Sequence, residues 1–228
     1  MTEVSAAALQ KLMAWLSPSF PVGAYTYSHG LEWAIEDGTV KSAPNLEAWI
    51  ADILRHGAGR TDAVLFCAAW RAGSAGDGER LREIAELGVA FQPSKERHLE
   101  ATAQGRAFLT AIIAAWPSLK LTGLASSPDS IPYSVAVAAA AAAHDVPLAP
   151  ALSSFLSAFV ANLVSAGVRA IPIGQTDGQR TIAALAPLVT EVAAEAEQAS
   201  LDDLGGAALR ADIASMKHET QYTRLFRS

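Results

Sequence analysis

With 228 residues, 51% of them hydrophobic, the chain can bury a full core without disulfides or a structural metal. A net charge of −6 with no cluster of Lys and Arg excludes a general nucleic-acid binder, whose affinity rests on phosphate contacts. The lone Cys67 excludes an internal disulfide framework and fits a reducing cytoplasm; within the apolar run from Val64 to Ala69 it reads as core filling, not as a nucleophile.

Helical periodicity begins at once, with a helix expected over residues 6–16. The stretch "SPSFPVGAYTYSHGLEWAIEDG", residues 17–38, then breaks the pattern with two prolines, glycines, hydroxyls and two tyrosines, before a short helix over 30–37. No basic region precedes an apolar one at the start, so no secretory signal is expected. In "NLEAWIADILRHG", Leu46, Trp49, Ile50, Ile53 and Leu54 recur on one helical face, with Asn45 placed to cap the start and Gly57 the end. Further helices are expected over 62–71, 79–91, 94–116, 133–144, 148–169, 178–199 and 209–216. Turn clusters separate them at 72–78, 122–132 and 171–178.

The uncharged run from Val146 to Val168 meets the length criterion for a membrane span. Pro147, Pro150, Asn162 and several serines weaken its transfer energy, and it reads as a buried helix. No strand-like alternation of useful length occurs. The fold class is therefore all-α, a single-domain bundle of about ten helices spanning residues 1–228. The alanine runs at 138–143 and 183–199 point to helices packed closely at small residues.

Chemistry-bearing motifs are sparse. The five histidines, His29, His56, His98, His144 and His218, show no metal-ligand pairing, so no metal set or cofactor is expected. "GAGRTDA" and "GQTDGQRT" lack the Gly-Lys-Ser/Thr of a phosphate loop and follow no strand. Ser28 adjoins His29, but no strand–turn–helix elbow presents it, and no catalytic residue is assigned.

Three stretches stand out from an ordinary bundle: residues 17–38, "VRAIPIGQTDGQRT" at 168–181, and "MKHETQYTRLFRS" at 216–228. They resemble the "SPxxPVGxxxYSxGLE", "VRxIPLGQTDGQ" and "RHETQYxRLFRS" patterns of the urease accessory protein UreF family, and "SKERHLEATAQGRAF" at 94–108 fits that family's central helix. The resemblance implies a cytoplasmic, all-helical homodimer without catalytic activity. It would bind UreD (also called UreH), recruit the GTPase UreG, and help deliver nickel to apo-urease, with neither nucleic acid nor membrane as a partner. The alternative is an activator of the UreG GTPase.

On this reading the partner-binding residues are Tyr25, Tyr27, Ser28 and Glu32 in the first stretch, Arg169, Gln175 and Thr176 in the second, and His218, Tyr222, Arg224 and Phe226 in the third. Asp177 reads as a local helix cap. Rigid prolines, glycines that permit close approach and amphipathic tyrosines suit a recognised surface. The bland alternative makes the first stretch a helix cap with its tyrosines packed inward. The tail, residues 217–228, is expected to be mobile until it docks on UreD through Arg224, Tyr222 and Phe226; otherwise it packs back on its own bundle.

Overall fold

A computed structural model describes residues 4–121, 123, 124 and 131–228. Most of the turn expected at 122–132 therefore lies outside the described residues. Ten α-helices are present among them: α1 (Ala6–Trp15), α2 (Leu31–Glu36), α3 (Ala43–His56), α4 (Ala58–Ala75), α5 (Gly78–Ala90), α6 (Lys95–Ala115), α7 (Tyr133–Ala143), α8 (Leu148–Ala170), α9 (Gln175–Gln198) and α10 (Leu209–His218). No strand occurs among the described residues, as expected of an all-α chain.

The bundle is organised around α7. Nine of its eleven residues are buried, and it is apolar on every side, which only a helix surrounded by others tolerates. Its alanines let neighbours approach closely: a Cβ built on Gly73 of α4 would lie 3.1 Å from the Ala142 methyl. α4 accordingly makes its most extensive packing with α7, and α6 and α8 flank it. The low-complexity alanine run is the centre of the core.

In α3 the five periodic residues Leu46, Trp49, Ile50, Ile53 and Leu54 are all buried. The helix begins earlier than Asn45, however. Ser42 is the cap and accepts from the Asn45 amide at 3.4 Å, because Pro44 is tolerated in a first helical turn. Gly57 ends α3 and also begins α4, so the glycine-rich segment following it is helical.

α8 is the helix with the length and apolarity to cross a membrane. It is two-faced: Leu152, Phe155, Leu156, Val160, Leu163 and Val164 are buried, while Ser157, Ser165 and Arg169 are exposed. Cys67 is fully buried, and burial pushes its thiol up to about 12, so it remains a protonated core group.

Candidate partner-binding surface

The two ends of the sequence meet. After α10 the chain runs without helix from Glu219 to Ser228, laid against the loop before α2 and against α6. Ser28 donates from its backbone amide and its hydroxyl to the Ser228 carbonyl, both at 2.5 Å, and the Arg227 amide donates to the Thr26 carbonyl at 2.7 Å. Glu32 accepts from the amides of Leu225 (2.6 Å) and Phe226 (2.9 Å). These bonds satisfy backbone groups that have no helix to join.

The expected mobile tail is thus folded. Phe226 is 4% exposed and Ser228 fully buried. The Arg169 guanidinium covers the Phe226 ring at 4.5 Å and donates to the Tyr25 carbonyl at 2.7 Å, tying α8 to both segments. The driving force is the pairing of tail donors with carboxylates on α2 and α6, which lie far away along the sequence.

Those carboxylates form a buried network. His218, fully buried, donates from Nδ1 to Glu96 Oε2 at 2.6 Å and from Nε2 to Glu32 Oε2 at 3.0 Å. The trio needs a proton on both ring nitrogens or on one carboxyl; Glu96, pushed up by burial against the opposing pull of His218 and Arg224, is suited to hold it. Arg224 reaches the other Glu96 oxygen at 2.8 Å, and Gln221 bonds Glu36. Deeper, Glu100 receives Arg97 at 2.5 Å, His29 at 2.9 Å and the Ser228 hydroxyl at 2.8 Å. Burial alone would raise Glu100, but Arg97, His29 and Ser228 outweigh it and hold the carboxyl at about 2.

The sequence-derived residues divide by exposure. Tyr25, Arg169, Gln175, Thr176 and Tyr222 face solvent, and Arg224 is partly exposed. Tyr27, Ser28, His218 and Phe226 are buried, and Glu32 nearly so, within the chain itself. The two tyrosines therefore part company, Tyr25 outward and Tyr27 inward. Asp177 does not cap α9: Gly174 occupies that position, and Asp177 lies in the first turn, paired with Arg180 at 2.9 Å and favourably placed in the helix dipole.

Glu96, Arg97, Glu100 and Ser228 were not singled out from sequence. A signal existed on α6, where Glu96, Glu100 and Gln104 continue at four-residue spacing the line of Phe108 and Ile112. Polar groups on a core-facing stripe imply buried partners.

Gly30 allows this assembly. Its φ is +73°, and a Cβ there would stand 2.5 Å from the Ser215 amide nitrogen of α10. Gly30→Ala is expected to lower stability by more than about 2 kcal/mol, through backbone strain and overpacking together. Urea denaturation will check this; a change under about 0.5 kcal/mol, the range of a neutral surface site, would contradict it.

Fold and surface together define an all-helical protein whose two chain ends are joined into one outer face. The family model described as UreF matches residues 40–186. The urease accessory protein UreF of Rhodopseudomonas palustris strain BisA53 is 55% identical over 98% of this chain and 94% of its own length. Strain BisB18 has a relative of the same name, 56% identical over 100% of this chain and 95% of its own; that of Methylobacterium sp. strain 4-46 is 52% identical over 95% and 87%. The chain belongs to the UreF family of urease accessory proteins.

Proposed function

We propose that the protein is a non-enzymatic scaffold of urease maturation. It binds UreD (UreH) and recruits the GTPase UreG, so that nickel passes into apo-urease. The observation that supports this reading is the outer face built from both chain ends, where Tyr25 and Tyr222 stand in solvent over a buried polar frame. Exposed aromatics on a rigid base are the usual anchors of protein interfaces.

The exposed residues Tyr25, Arg169, Gln175, Thr176 and Tyr222 contact partners, Arg224 contributes its exposed edge, and Tyr27, Ser28, Glu32, His218 and Phe226 hold the face in shape. The protein acts as a homodimer in the cytoplasm.

Tyr25→Ala and Tyr222→Ala will each weaken capture of UreD or UreG by about tenfold or more, the loss of an interface anchor. Their thermal stability will stay within the roughly ±0.5 kcal/mol range of surface substitutions. Quantitative co-purification of the purified variants with UreD and UreG measures this; full recovery with both variants would overturn the assignment. The same preparations separate scaffold from activator. A scaffold leaves the GTP turnover of UreG unchanged, whereas an arginine supplied to the phosphates accelerates it by about 10³-fold or more.

A further inference from the structure

Beneath the joined ends, a cavity of about 170 Å³ opens between α4, α6, α10 and the loop before α2. His29, Thr61, Asp62, Arg97, Asp212 and Ser215 supply its polar lining. His29 reaches it in a left-handed conformation, φ 57°, unusual for a residue with a Cβ. It is 6% exposed, and its Nε2 has no hydrogen-bond partner. A buried polar atom without a partner needs an explanation.

The state of that nitrogen follows from its neighbours. Glu100 is ionised and can only accept, so Nδ1, 2.9 Å from Glu100 Oε1, carries the proton toward it. Burial, then the nearby Arg97 charge, holds the imidazole pKa down, so the ring is neutral and Nε2 is an open acceptor.

The remaining groups are also short of donors. Arg97 is engaged with Glu100, and the Ser215 hydroxyl is bonded to Ser94 at 2.6 Å. Asp62 accepts one bond, from Ser134 at 2.9 Å, and Asp212 accepts none from a side chain; neither has an ion-pair partner among the described residues. Burial pushes both carboxyls up, as expected for acids lacking a counter-charge. Three carboxyls, counting Glu100, thus surround one arginine and a neutral histidine.

An anion would meet this excess of acceptors unfavourably. A metal ion would need converging ligands, and no group of three His, Cys, Asp or Glu among the described residues could hold one. We propose that the cavity binds a small cation rich in N–H donors, of the ammonium or guanidinium class, which donates to His29 Nε2 and pairs with Asp62 and Asp212. The enclosed volume holds several water-sized units, enough for a compact ligand and too little for a folded segment.

The test uses the full chain, titrated with guanidinium chloride and with methylammonium chloride at low millimolar concentration, against sodium chloride at equal ionic strength. The expected result is a saturable shift of the His29 Nε2 nitrogen resonance and a rise in Tm with at least one organic cation and not with sodium. Asp212→Asn, at a partly exposed position, should keep the fold and weaken that response at least tenfold; Asp62→Asn should do the same. An equal response to sodium chloride, no saturable shift, or undiminished binding in Asp212→Asn would overturn the proposal. So would nickel chloride displacing the organic cation at the same resonance, because the cavity would then be a metal site.

Discussion

Replacing Glu100 with glutamine is expected to lower the stability of the folded chain by about 3–5 kcal/mol, the range for breaking a buried ion pair from one side. Glu100 is 3% exposed and accepts from Arg97, His29 and Ser228; Gln104 also donates to it at 3.1 Å. Glutamine is nearly isosteric, so packing is kept and the loss is electrostatic. It leaves the Arg97 guanidinium, 5% exposed, without a full counter-charge. For a domain of this size, about 2–4 °C of Tm accompanies each kcal/mol, so a fall on the order of 10 °C should follow. Chemical denaturation measures the loss directly, and a value under about 1 kcal/mol would show that the network carries little energy. Adding Arg97→Met to Glu100→Gln should restore part of the stability, because a pair removed from both sides leaves no orphan charge.

The pH dependence follows from the same carboxyl. Its folded value, about 2, lies below the roughly 4.3 of an unfolded glutamate, so the unfolded chain binds the proton first. The contribution of Glu100 is complete above about pH 5 and fades as the pH falls toward 2. His29 acts in the same direction at higher pH, since its lowered folded pKa makes the unfolded state the better proton acceptor below about 6.5. The difference in stability between the parent chain and Glu100→Gln should therefore shrink steadily between about pH 5 and pH 2.

What the sequence discloses depends on how local the cause is. The α3 face reads correctly because periodicity over a few turns decides which side is buried. The buried α8 is equally legible, since its serines and Arg169 mark a solvent edge. Helix starts are less so: Ser42 and Gly174 precede the expected caps Asn45 and Asp177, and competing polar residues in a first turn offer several plausible starts. The tail is the instructive failure. Its charges and aromatics suggest a free recognition segment, yet Ser28 and Ser228 are 200 positions apart and Glu96 and Arg224 are 128 apart. Nothing local to residues 217–228 names such partners. The UreF-like motifs themselves are the trace of this contact: two of the three stretches that stand out in the sequence are the two that touch.

Removing residues 222–228 should have the second large effect. The truncation deletes no α-helix, since α10 ends at His218, and the far-ultraviolet helical signal should be nearly unchanged. It does take away both amide donors to Glu32, the arginine on Glu96, the Ser228 bonds to Ser28 and Glu100, and the ring beneath Arg169. Each buried acceptor left without its donor costs about 1–3 kcal/mol, more where it is charged, reduced by whatever water enters the exposed groove. A Tm lower by about 10 °C or more and fast proteolysis within residues 17–30 are the expected outcomes. Lost capture of UreD by the truncated chain would then have two causes, a missing contact and a loosened loop. Glu32→Ala in the full-length chain separates them. It keeps Tyr222 and Arg224 but removes the acceptor that fixes Leu225 and Phe226, so it should reproduce the proteolytic opening of residues 17–30 and most of the thermal loss. If Glu32→Ala leaves that loop protected while the truncation exposes it, the anchoring resides in the Ser28–Ser228 bonds instead of the carboxylate clamp.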